Sequence, residues 1–135
     1  MAFLEWKTSY SVQVEELDRQ HLRLVQLINC LHDAMKVGAP RPALERILSD
    51  LVTYTRFHFQ TEERLMRQYS FPLLGDHIEE HRSLATTVTR FEEDLRAGRV
   101  AISIPLMQFL RTWLTGHIVS SDMKYSPYMT GRAAA

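Results

Sequence analysis

The chain has 135 residues, enough for one domain with a sizeable core and too few for two. Sixteen Lys and Arg offset sixteen Asp and Glu, so no cationic face is set aside for nucleic acid or an anionic membrane. No apolar run approaches the ~20 residues of a membrane span, MAFLEWKTSY has no basic stretch leading into an apolar one, and Cys30 stands alone. A soluble, cytoplasmic protein without a disulfide framework or secretory leader is expected.

Residues 1–15 hold Phe3, Leu4, Trp6 and Tyr10 but no helical stripe, and are expected to lie as an arm across the helical body. Four long segments then carry apolar residues at helical spacing. The first runs from about Leu17 to Val37, with Leu17, His21, Leu24, Val25, Ile28, Leu31 and Met35 on one face, and stops at Gly38-Ala39-Pro40. The second runs from about Pro42 to Tyr69, with Leu44, Ile47, Leu48, Leu51, His58, Glu62, Leu65 and Met66 inward. Pro42 suits a first turn, where its missing N–H costs nothing. After the break at Phe71-Pro72, the third helix spans about Leu73 to Arg96, with Leu74, His77, His81, Leu84, Val88, Phe91 and Leu95 inward and Gly98 closing it.

The fourth helix opens at Ser103-Ile104-Pro105 with Ser103 as N-cap, carries Leu106, Leu110, Trp113, Leu114 and His117, and is expected to end before Pro127. Residues 131–135, Gly-Arg-Ala-Ala-Ala, read as a disordered tail. Short links make neighbouring helices antiparallel. The fold class expected is all-α, an up-down-up-down four-helix bundle with an N-terminal arm.

Five of the six histidines join two carboxylates in one pattern: His21, His58-x3-Glu62, His77-x3-His81 and His117-x4-Asp122. At ~1.5 Å per residue, His21 lies near the start of the first helix and Glu62 near the end of the second. His77 and His81 lie near the start of the third, and His117 near the end of the fourth. In an antiparallel bundle these positions share one pole. Both i,i+4 pairs present their side chains on one face from adjacent turns. Burying two carboxylates and five imidazoles without partners would cost several kcal/mol per carboxylate. Cations remove that cost. One metal rarely takes more than six ligands, so seven suggest two metals sharing bridging carboxylates. The nitrogen and oxygen mix favours iron and leaves zinc or manganese open.

Two positions resist this simple placement. His117 and Asp122 are five apart, which on a regular helix of ~3.6 residues per turn rotates Asp122 about 140° away. Either the helix widens there as a π-bulge or Asp122 sits on a frayed end. His32 follows His21 by eleven residues and points the same way, but about 16 Å further along the axis. It is expected to be a core-edge histidine. Glu63 is expected to point off the core.

The pattern resembles the hemerythrin family, and more closely its single-domain bacterial members, over nearly the whole chain, so that 1–135 reads as one hemerythrin-like domain. The residues that carry the resemblance are Trp6, Glu16-Leu17-Asp18-x-Gln20-His21, His58-Phe59-x2-Glu62-Glu63-x2-Met66, His77-x3-His81 and Trp113-Leu114-x2-His117-Ile118-x3-Asp122-x2-Tyr125. One departure is Tyr69-Ser70-Phe71-Pro72, where relatives often place Tyr-Pro directly; it alters a loop and leaves the site pattern intact.

The resemblance implies two non-haem iron ions. His77, His81 and His117 would hold one, and His21 and His58 the other. Glu62, Asp122 and an oxo or hydroxo group would bridge them. Three histidines with three bridges fill six positions; two histidines with the same bridges fill five, leaving one open. The implied occupant is dioxygen, bound reversibly for storage, delivery or buffering, and not turned over by an enzyme. Leu114, one turn before His117, is expected to roof the open position, with Trp113 and Ile118 beside it. An oxygen or redox sensor, and an enzyme, either a di-iron oxidase or peroxidase or a two-metal hydrolase, are the rival readings. An oxygen-consuming partner protein of unknown identity is the one protein partner implied.

Overall fold

A computed structural model describes residues 2–99 and 101–131. The described residues are helical throughout their regular structure: α1 Glu15–Lys36, α2 Arg41–Gln68, α3 Leu74–Arg96, α4 Ile104–His117, a π-helical turn Ile118–Asp122, and α5 Met123–Met129. The first three helices begin and end within two residues of the expected positions. The expected tail falls, apart from Gly131, on residues outside those described.

Local chemistry sets the helix ends. At the start of α1, the Asp18 carboxylate accepts from the Val12 N–H at 2.8 Å and the Ser11 hydroxyl at 2.6 Å, and Glu15 and Glu16 add negative charge to the same turn. Ser103 caps α4 as expected, its hydroxyl accepting from the Leu106 N–H. Three helices close with the same pair of reversed bonds, the outer one spanning five residues. These are Ala39 N–H to Ala34 O after α1, Phe71 N–H to Met66 O after α2, and Arg99 N–H to Asp94 O after α3. The turn needs one residue with left-handed backbone. Gly38 and Gly98 supply it twice, at φ 70° and 74°. After α2 it is Ser70, at φ 57°, at a steric cost of about 1–2 kcal/mol. The unusual Ser70 therefore completes the cap of α2.

The fourth segment departs from expectation in two ways. It widens into a π turn at Ile118–Asp122, where the Met123 N–H reaches back five residues to Ile118 O. It also continues past Pro127, which lies inside α5. Pro127 removes a single donor, and the Thr130 N–H bonds to Ser126 O beyond it, so the last turn survives.

α1 packs on α2 and α4, and α2 on α3, giving the four-helix bundle. Two apolar clusters fill it. The larger joins Leu24, Ile28 and Leu31 of α1 to Leu48 and Leu51 of α2, Val88 and Leu95 of α3, and Leu106, Met107 and Leu110 of α4. The smaller joins Val12, Leu17, Met66, Phe71, Tyr125 and Met129 at the other pole. Along every helix, the histidines and carboxylates of the expected site lie between residues of these two clusters.

The arm crosses the bundle in extended form with one 3-10 turn at Thr8–Tyr10. Asn29 of α1 brackets it, accepting from the Leu4 N–H and donating to Leu4 O, both at 2.8 Å. Phe3 stacks on His32 with centroids 4.2 Å apart and carries the Arg111 guanidinium on its ring. At its far end, Val12 O accepts from the Ser126 hydroxyl of α5. No helix among the described residues is long and apolar enough to cross a membrane.

Candidate metal centre

All seven expected residues meet in one layer, and none is more than 7% exposed. α1 contributes His21, α2 contributes His58 and Glu62, α3 contributes His77 and His81, and the last segment contributes His117 and Asp122. The π turn decides the one doubtful placement. Its extra residue returns Asp122 to the His117 face, leaving His117 Nε2 3.0 Å from Asp122 Oδ1. His32 lies outside the cluster, stacked on the arm.

The two carboxylates form the spine of the layer. Asp122 Oδ1 lies 3.0 Å from Nε2 of both His77 and His117, and Asp122 Oδ2 lies 3.0 Å from His21 Nε2. Glu62 Oε1 lies 3.1 Å from Nε2 of both His58 and His81, and Glu62 Oε2 lies 3.6 Å from His21 Nε2. The potential donor atoms sort into two overlapping sets. One is Glu62, His77, His81, His117 and Asp122; the other is His21, His58, Glu62 and Asp122. Both carboxylates belong to both sets, and the histidines divide three and two.

The donor atoms pass a test of fit. Nε2 of all five histidines, Glu62 Oε1 and both Asp122 oxygens are buried without a hydrogen-bond partner. Buried polar atoms are ordinarily paired, and one orphan costs about 1–3 kcal/mol. Eight orphans converging at 3.0–3.1 Å are satisfied either by protons on the imidazoles or, all together, by cations.

Protons are the alternative. Burial opposes charge on His21 and His117, yet contacts with Asp122 and Glu62 push His21 up to about 10 and His117 up to about 9. Burial prevails at His58, whose pKa is lowered. Burial also opposes charge on Glu62 and Asp122, but the surrounding imidazoles hold both carboxyls below the usual range. Two permanently ionised carboxylates thus seek positive charge at any neutral pH.

Several residues around the layer carry no role that the sequence pattern assigns. Tyr125 is fully buried, and its hydroxyl donates a short hydrogen bond to Glu62 Oε2. Burial and the charges of Asp122 and Glu62 push its pKa well up, so it stays a donor. Phe59 stacks on His81 with centroids 3.8 Å apart and planes 6° from parallel. The Nδ1 atoms of three histidines donate outward: His58 to Gln20 Oε1 at 2.7 Å, His81 to Glu63 Oε2 at 2.8 Å and His117 to Glu80 Oε1 at 2.6 Å. Helical phase points Glu63 off the core. Its side chain instead turns along the helix surface to reach His81, keeping 25% of its area exposed. Adjacency is the available signal, since Gln20, Glu80 and Ser121 each precede a site residue.

A family model described as the hemerythrin HHE cation binding domain matches residues 12–129. The chain belongs to the hemerythrin family. It is 31% identical over 126 residues to a bacteriohemerythrin of Stenotrophomonas maltophilia, covering 93% of this chain and 81% of that protein. A bacteriohemerythrin of Methylococcus capsulatus is 28% identical over 131 residues, covering 96% of this chain and 99% of that one. A solved structure of wild-type hemerythrin superposes with a TM-score of 0.90 at 27% identity, covering 98% of this chain and all of that one. The hemerythrins are non-haem iron, oxygen-binding proteins with a di-iron centre, and the cluster in this chain can hold such a pair.

Proposed function

We propose that this hemerythrin binds dioxygen reversibly at a pair of iron ions, as a store, carrier or buffer of oxygen and not as an enzyme. His77, His81 and His117 would hold one ion, His21 and His58 the other, with Glu62, Asp122 and an oxo or hydroxo group as bridges. The observation that carries the reading is the unequal division of five histidines over two shared carboxylates. Unequal division leaves one ion a protein ligand short, and a vacant position is what a binding site needs. Bound iron would supply the electrons and that position.

The chain's own part is to keep the site dry and its donors fixed. Leu114, Trp113 and Ile118 are buried in the apolar cluster beside His117, and they would wall the position where dioxygen arrives. Tyr125 fixes the orientation of Glu62 by its hydroxyl. Glu63 and Glu80 accept from the Nδ1–H groups of His81 and His117 and so help to hold those rings in place. Released oxygen would serve an oxygen-consuming partner in the cytoplasm.

The test is an anaerobic optical spectrum of the reduced, iron-loaded protein before and after air. A charge-transfer band that appears with air and disappears on evacuation supports the reading. Irreversible bleaching, or turnover of an added reductant, refutes it. Leu114→Ala loses packing worth about 2–5 kcal/mol and should shorten the life of the oxygenated protein while keeping two irons. Decay at the wild-type rate makes Leu114 ordinary core.

A further inference from the structure

The asymmetry of the layer, three histidines against two, is repeated in the groups behind it. On the three-histidine side, His81 donates to the Glu63 carboxylate and His117 to the Glu80 carboxylate. Glu80 is itself held by the Ser121 hydroxyl, at 2.6 and 2.8 Å to its two oxygens. Ser121 precedes Asp122 on the π turn, so one widened turn delivers a site carboxylate and the clamp for an outer one.

The two-histidine side has no anion in that role. His58 donates to a neutral amide, Gln20 Oε1. The buried Gln20 cannot readily turn, because its Nε2 lies 3.4 Å from the Thr61 hydroxyl oxygen, which itself donates to Phe57 O. His21 Nδ1 is buried with no hydrogen-bond partner. Two carboxylates therefore stand behind one set of imidazoles, against one amide behind the other.

The difference has a definite chemical sense. A carboxylate accepting from Nδ1–H draws that proton toward itself and leaves Nε2 a stronger donor. It also fixes the tautomer and the ring orientation. An amide fixes both but contributes little basicity. Each such outer partner changes metal affinity by about 10–100-fold.

We propose that Glu63 and Glu80 are positioning residues that widen the inequality set by three histidines against two, so that the His77–His81–His117 position holds its ion far more tightly than ligand count alone would give. The inference rests on the two-metal reading. It implies an order of events: the three-histidine position fills first and empties last, and the position with room for a ligand is also the labile one. Gln20 is the residue that keeps it labile.

The experiment challenges the ferrous-loaded full chain with an excess of a strong iron chelator under anaerobic conditions and follows release. Two phases of equal size are expected. Crystals of half-depleted protein should retain iron beside His77, His81 and His117, located by anomalous scattering. Glu63→Gln and Glu80→Gln keep an acceptor of the same shape and should speed the slow phase about 10–100-fold each, leaving the fast phase unchanged. Gln20→Glu should slow the fast phase by a similar factor. A residue with a merely structural role would alter both phases together, and the gain from Gln20→Glu does not depend on the other variants folding. A slow phase unchanged in both Glu63→Gln and Glu80→Gln, release in a single phase, or retention beside His21 and His58 overturns the proposal. Loading that never exceeds one iron per chain instead defeats the two-metal reading beneath it.

Discussion

The two halves of the bundle solve the burial problem in opposite ways. In the half around Ile28, with Leu24, Leu31, Leu48, Val88 and Met107, each side chain leaves water and asks nothing of its neighbours beyond contact. In the layer around Glu62 and Asp122, burial strips water from polar and ionised groups and returns no hydrogen bond for eight of their atoms. Both layers are built on the same four helices, often one or two turns apart. The fold is thus specified by one half and left incomplete in the other until cations arrive. Metal binding is then folding free energy, in a restricted part of the molecule.

Metal removal should separate the two halves most. With free iron a thousandfold above the Kd of one site, linkage through that ion alone adds about 4 kcal/mol to stability. For a chain of this size that is a melting point roughly 10–20 °C higher than that of metal-free protein. Hydrogen exchange should show where the loss falls: amides beside His58 and His117 open on metal removal, and amides beside Leu31 and Leu48 do so much less. Equal melting points would erase the contrast.

Substitution separates the halves next. Leu48→Ala should cost about 2–5 kcal/mol in loaded and metal-free protein alike, without changing iron content. His77→Ala should shed iron. His32→Ala should keep it, because His32 stacks on Phe3 and touches neither donor set. Calorimetry with elemental analysis of the three variants checks all of this, and a His32→Ala variant short of iron would contradict the division.

The smallest effect is a pH dependence confined to the polar half. In metal-free protein the pKa of His21 is raised to about 10 and that of His117 to about 9. Groups raised on folding stabilise fully below the unfolded value, ~6.5, and that stability is lost as pH climbs through the folded values. The melting point of metal-free protein should therefore fall between pH 7 and pH 10. In loaded protein the rings carry metal in place of protons, so its melting point should hold over the same range. Melts at pH 7 and pH 9 should show the gap widening; a constant gap would mean the rings are not protonated when iron is lost.

The contrast also explains what could be read from the sequence. The bundle was legible because Leu24, Ile28, Leu31 and their counterparts repeat at helical spacing, and that period survives any detail of packing. The cluster was legible because His58-x3-Glu62 and His77-x3-His81 fall on that period too. His117 and Asp122 do not, and sequence left them between a π turn and a frayed end; the Met123 to Ile118 bond places them in the former. Pro127 misled because a proline in the last turn of a helix removes only one donor. Glu63 misled because helical phase fixes where a Cβ points, and a long, flexible side chain can still curl back to an imidazole. Partners such as Glu80 and Ser121 lie beside site residues in sequence, but adjacent residues on a helix face different ways, so only coordinates reveal that they meet.

Two metal ions complete the polar half. A metal count on the purified, iron-loaded chain, paired with anomalous diffraction at the iron edge, tests this directly. Two irons per chain are expected, one against His77, His81 and His117 and one against His21 and His58, with Glu62 and Asp122 reaching both. A single ion per chain, or zinc at full occupancy that iron cannot replace, would contradict it.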